Sequence, residues 1–182
     1  IIYGISLELP CAAISVLLVV MNKIQSGISL DALTGLNNRR SLERYLSKYP
    51  HGRPITVLFL DVNYFKLIND KYGHNEGDNA LIATGEVLRQ VCGKSSVFLS
   101  RYGGDEFLLV IPFDEQLTAS EFEDMLQRAL DDMNAAGTLP YELSVSIGSA
   151  SVDNANEKTL PECIKRADDN MYSRKKSFHL KK

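Results

Sequence analysis

Two stretches of the chain, "ITVLFLD" (55–61) and "EFLLVIPF" (106–113), are apolar runs of strand length with an acid at one end. A strand with one wet face alternates apolar and polar residues, whereas an unbroken run rich in β-branched and aromatic residues is a buried strand. Two such strands need helices to cover them, and the chain supplies the candidates. Helical spacing is seen over 41–49 (Leu42, Tyr45, Leu46, Tyr49), 65–73, 79–92 and 120–136, and in a closing helix through Arg166, Met171 and Tyr172. Asp78 is the expected N-cap of the 79–92 helix, Gly137 the C-cap after 136, and Thr159 with Glu162 a capping box with Pro161 in the first turn. "VFLSRY" and "EFLLVIPF" flank Gly103 and Gly104 as a hairpin, where glycine would supply a positive φ. The 141–152 segment alternates as a strand. The expected fold is α+β, a mixed or antiparallel sheet with flanking helices.

The 182 residues are 45% apolar and 24% charged, the balance of a folded protein. A net charge of −3 argues against a nonspecific grip on nucleic acid, which needs a cationic surplus. Cys11, Cys92 and Cys163 have no metal-ligand spacing and read as buried apolar residues.

Residues 1–30 differ from the rest. No charge occurs from Cys11 to Met21, a run shorter than the roughly 20 residues that span a bilayer, with Glu8 and Pro10 before it. The segment is read as the end of a hydrophobic membrane helix, and Lys23, Arg39 and Arg40 place the remainder in the cytoplasm. The other reading is a helix that packs or dimerises, with Ile14, Met21 and Ile28 at heptad spacing. The expected organisation is this segment over 1–30 and one soluble domain over 31–182.

Asp61 ends one buried strand, and Asp105 and Glu106 begin another. If those strands are neighbours, two carboxylates and a backbone carbonyl make a Mg²⁺ or Mn²⁺ site with room for phosphate oxygens. Either acid alone reads equally as a solvated strand end. Lys66 stands at a helix start, where free N–H groups favour phosphate. Asn69 and Asp78 together can read a base edge, since a carboxylate accepts from the adjacent N1–H and N2–H₂ donors of guanine. His74 reads as a turn residue.

"RYGGDEF" (101–107) resembles the signature of the GGDEF domains, the diguanylate cyclases. "DALTGLNNRR" (31–40) resembles their opening motif, "DVNYFKLINDKYGHNEGD" (61–78) their metal, phosphate and guanine segment, and "ADDNMYSRKK" (167–176) their closing helix. The resemblance implies a fold like that of nucleotidyl cyclases and polymerase palms. It also implies two such domains, each with one GTP, condensing them to cyclic di-GMP with release of pyrophosphate. By that resemblance Asp61, Asp105, Glu106 and the Val62 carbonyl hold Mg²⁺ or Mn²⁺, and Glu106 assists deprotonation of the attacking hydroxyl. Gly103 and Gly104 admit the phosphates, which Lys66 and Lys175 contact. Asn69 and Asp78 read guanine, with Phe65 among the substrate-binding residues, and Asp168 makes an intradomain salt bridge. The implied protein is a homodimer at the cell membrane with its catalytic domain in the cytoplasm. The alternative is a non-catalytic module that binds GTP or cyclic di-GMP and signals by contact.

Three departures stand out. Asn63 replaces a common Asp, with weaker metal binding as the expected cost. His179 stands where the family has a phosphate-binding Arg. "KSSV" (94–97) replaces the Arg-x-x-Asp inhibitory site, so Lys94 and Val97 cannot make its forked guanine contact.

Overall fold

The computed structural model describes residues 13–16 and 29–179. Strand β2 (Ile55–Val62) pairs antiparallel with β4 (Glu106–Pro112) on one side and with β5 (Val145–Val152) on the other. Strand β3 (Phe98–Arg101) pairs antiparallel with β4, and the short β1 (Asn37–Asn38) pairs parallel with β3. The order β1-β3-β4-β2-β5 is a mixed five-stranded sheet, in line with the mixed or antiparallel sheet expected, though β1 is not among the strands read from the sequence.

The unbroken apolar runs have a direct cause: both faces of the sheet are covered. Leu58, Leu60, Val62, Phe107, Leu109 and Ile111 point to one side. There they meet Ile68 of α2 (Phe65–Tyr72), Leu81 and Leu88 of α3 (His74–Cys92) and Phe122 and Leu126 of α4 (Ala119–Ala135). The alternate residues Ile55, Val57, Phe59, Leu108 and Val110 meet Leu42 of α1 (Arg39–Ser47) and Cys163, Ala167 and Met171 of α5 (Thr159–His179). Each large side chain fully withdrawn from water in these two layers stabilises the fold by about 1.5–3 kcal/mol.

Gly148 shows how closely α5 lies on the sheet. A Cβ at that position would stand 2.0 Å from the Met171 amide nitrogen and 2.2 Å from the Ala167 carbonyl oxygen. Only a residue without a side chain lets the helix backbone rest on β5.

Two helix starts differ from expectation. Helix α3 begins at His74, so Asp78 lies within it and is not its N-cap. Gly73, at φ +90°, terminates α2 and starts α3 with no intervening loop. Gly77 lies inside α3, where the Asn69 side chain occupies the space a Cβ would need. At α5 the Asn156 carboxamide oxygen accepts from the Lys158 and Thr159 amides, and the Thr159 hydroxyl donates to the Asn154 carbonyl, so no Thr159–Glu162 box forms. A capping box does form at α4 between Thr118 and Glu121, and Gly137 follows that helix at φ +64°, donating to the Asn134 carbonyl.

The chain divides into two compact units, Ile1–Leu30 and Asp31–Lys182. In the first unit residues 13–16 are helical, with Ile14 and Val16 exposed. The rest of the expected hydrophobic helix, and Cys11, lie outside the described residues. Among the described residues no helix is long and apolar enough to cross a membrane. Cys92 and Cys163 are buried, and burial pushes the Cys92 thiol up to about 12, as expected for inert core cysteines.

Candidate active site

Asp61 is the next-to-last residue of β2, and its cross-strand partners are Glu106 on β4 and Ser146 on β5. The strands that end in acids are therefore neighbours, as the site requires. The Val62 amide donates to the Asp105 carbonyl at 3.1 Å, which fixes Asp105 against the end of β2. Tyr102 and Gly103 amides both donate to the Glu106 carbonyl, at 2.8 and 3.3 Å, and close the turn between β3 and β4.

Neither glycine of that turn has a positive φ, contrary to the sequence expectation. Gly103 is needed for space: a Cβ there would stand 2.9 Å from a Glu106 carboxylate oxygen. Gly104 is exposed, with nothing within 4 Å of where a Cβ would lie, so the turn is open to an incoming group.

The turn is held from outside by Arg101. Its guanidinium donates to the Gly104 carbonyl from Nε (3.1 Å) and Nη2 (2.7 Å), and from Nη1 to both carboxylate oxygens of Asp31 (3.1 and 3.2 Å). Asp31 also accepts from the amide and hydroxyl of Thr34. Burial alone would raise the Asp31 carboxyl, but the Thr34 and Arg101 hydrogen bonds outweigh it and hold it below the usual carboxylate value. Arg39 lies 4.6 Å above the Tyr102 ring and pairs with Glu43.

Lys175 comes from α5. Its ammonium lies 2.5 Å from Asp61 Oδ1, whose side chain is 9% exposed. The Glu106 carboxyl is raised, first by burial and then by the charges of Asp105, Asp61 and Asp168, with Lys175 opposing. Asp168 forms no ion pair among the described residues, contrary to expectation, and acts here as one more negative charge.

Carboxylate and carbonyl oxygens are the donor chemistry of Mg²⁺ and Mn²⁺. Among the described residues no three acidic, histidine or cysteine side chains converge as a complete cage. Mg²⁺ typically takes one or two carboxylates and completes its shell with water and substrate phosphates, so Asp61 with the 105–106 turn fits that ion. The ammonium on Asp61 marks a point where cationic charge is stabilised.

The remaining expected residues flank this edge. Lys66 is exposed in the first turn of α2, which has no side-chain cap, and the half-buried Phe65 packs against the core. Asn69 is half-buried with its side chain over Gly77 of α3, and the exposed Asp78 is the next residue of that helix. His74 is the exposed first residue of α3.

Asn63 is 3% exposed and turned toward β5. Its amide donates to the Ser144 hydroxyl (3.2 Å), its carbonyl oxygen accepts from the Ser146 hydroxyl (2.6 Å), and its backbone amide donates to the Ser144 carbonyl (2.9 Å). The residue ties the end of β2 to β5, a job that a neutral amide does in full. Sequence reasoning missed these serines and Arg101; the available signal was an arginine next to Tyr102 and the glycines. Lys94 is exposed, Val97 packs against the core, and the amide and hydroxyl of Ser96 donate to Glu115. The His179 side chain lies outside the described residues.

The family model described as "Diguanylate cyclase, GGDEF domain" matches residues 28–179. Diguanylate cyclase VdcA of Vibrio cholerae is 30% identical over 158 residues, covering 84% of this chain and 46% of that protein. Diguanylate cyclase DgcP of Escherichia coli is 35% identical over 152 residues, covering 80% and 44%. The chain thus spans less than half the length of these relatives. Among solved structures, the GGDEF domain of DgcB from Caulobacter crescentus in complex with c-di-GMP superimposes with a TM-score of 0.68 at 26% identity, covering 82% of this chain and 91% of that one. The matched span takes in the opening motif, the paired acids of β2 and β4 and the closing helix, and the chain belongs to the GGDEF family.

Proposed function

We propose that residues 31–182 form a diguanylate cyclase domain that condenses two GTP into cyclic di-GMP and two pyrophosphates, with a divalent metal and as a homodimer. The observation that carries this reading is the direct cross-strand opposition of Asp61 and Glu106, with Asp105 bonded to the end of β2. Asp61, the Val62 carbonyl, Asp105 and Glu106 would hold Mg²⁺ or Mn²⁺, which supplies charge neutralisation at the phosphates and a more acidic hydroxyl nucleophile.

The chain's own groups do the rest. Glu106, directly across the sheet from Asp61, takes the proton of the 3′-hydroxyl. Lys66 and Lys175 hold phosphate oxygens, Asn69 and Asp78 accept and donate at the guanine edge, and the open face of Gly104 admits the triphosphate. Catalysis is then positioning and electrostatics. One domain has one such edge, and ring closure needs two nucleotides facing each other, so two copies are required. Residues 1–30 would tether the pair at the cell membrane with the catalytic domain on the cytoplasmic side.

The test is incubation of the full chain with GTP and Mg²⁺ and identification of products by mass. Cyclic di-GMP that is lost in Glu106→Ala is the expected result. GTP binding with no product, even when dimerisation is forced, overturns the enzyme reading.

A further inference from the structure

Asp61 is a buried carboxylate on a central strand, and such a group is stable only when paired. Lys175 provides a pair at 2.5 Å from the last helix, on a flexible stem whose side chain is 23% exposed. The reading above gives these two residues other partners, a metal ion for Asp61 and phosphate for Lys175. A divalent ion on this carboxylate would stand close to the ammonium, and the two positive charges would repel each other.

We infer that Lys175 is a resident counter-cation that competes with the divalent metal for Asp61 and leaves it when phosphate arrives. The inference rests on the metal reading of the site and adds an exchange to it. Entry of phosphate draws the ammonium off and exposes the carboxylate; entry of metal releases the ammonium for phosphate. Each event favours the other, and by linkage the coupling is reciprocal.

The test is Mn²⁺ binding to the nucleotide-free full chain, followed by electron paramagnetic resonance. Lys175→Met should bind Mn²⁺ about tenfold more tightly than the parent, within the usual range of coupling between sites. Lys175→Arg, which keeps the charge, should stay within about twofold of the parent. Lys66→Met, which removes a charge without touching Asp61, should also stay within about twofold. Unchanged or weaker binding in Lys175→Met overturns the inference, as does equal tightening in Lys66→Met. A second readout is the ¹⁵N signal of the Lys175 ammonium, expected to shift when Mg²⁺ is added; a static signal while metal binds also overturns it. Binding of Mn²⁺ by no variant, with or without GTP, removes the metal reading itself and the exchange with it.

Discussion

Asp31 carries a pH signature that can be checked by unfolding. Its carboxylate receives hydrogen bonds from Thr34 and Arg101 that hold its pKa down in the fold. A lowered folded value means that stability is present above the unfolded value of about 3.9 and disappears as pH falls through the folded one. Asp31→Asn should therefore cost about 1–3 kcal/mol in urea denaturation at pH 7, as expected for hydrogen bonds to a charged group. The gap to the parent should close in acid, below the folded value. A gap that persists there would show that charge is not what the residue supplies. Asp78 is exposed and its side chain makes no hydrogen bond or ion pair among the described residues, so Asp78→Ala should leave the melting temperature alone and raise KM for GTP about tenfold or more. An unchanged KM would remove its role at guanine. The acids were legible in the sequence because each ends an apolar strand. Arg101 and Asn63 were not, because their partners lie 70 and 83 residues away and only the folded sheet brings them together.

At the scale of elements, the apolar runs, their lengths and the hairpin between them were readable from pattern alone. The helix ends at Gly73 and Gly137 were readable too, but the starts of α3 and α5 were not: the α3 start depends on Gly73 adopting φ +90°. The tightest interface is α5 on β5. Gly148→Ala would drive a methyl into the α5 backbone, and differential scanning calorimetry should show a loss of about 2–3 kcal/mol, at the upper end for overpacking. Lys175 lies one helical turn beyond Met171, so the same variant should also disturb the Asp61 pair, lowering turnover in the fraction that remains folded. Full activity in a destabilised Gly148→Ala would separate the packing of α5 from the placement of its lysine.

For the molecule as a whole, the proposed chemistry needs two copies. Activity per protomer should rise with protein concentration and then level off, measured as cyclic di-GMP formed per minute over a dilution series. A flat response across the range where the chain changes from monomer to dimer would exclude a shared reaction. The exposed Lys94 and core-packed Val97 replace the residues of the inhibitory site, so added cyclic di-GMP should leave the initial rate within about twofold, Lys lacking the forked contact of Arg. Inhibition in the low micromolar range, as about 8 kcal/mol of binding would give, that Lys94→Ala removes would contradict this.

On the proposed guanine reading, Gly77 has a use for anyone who wishes to change the nucleotide. The carboxamide of Asn69 occupies the volume where a methyl group on residue 77 would project, only 2.1 Å from its oxygen. A mutant library that diversifies Asn69 and Asp78 for a new base is thus drawing on three positions. With glycine kept at 77, replacements for Asn69 keep the space that its carboxamide now fills. Randomising 77 as well would close that hollow in most clones and hide the very substitutions being sought.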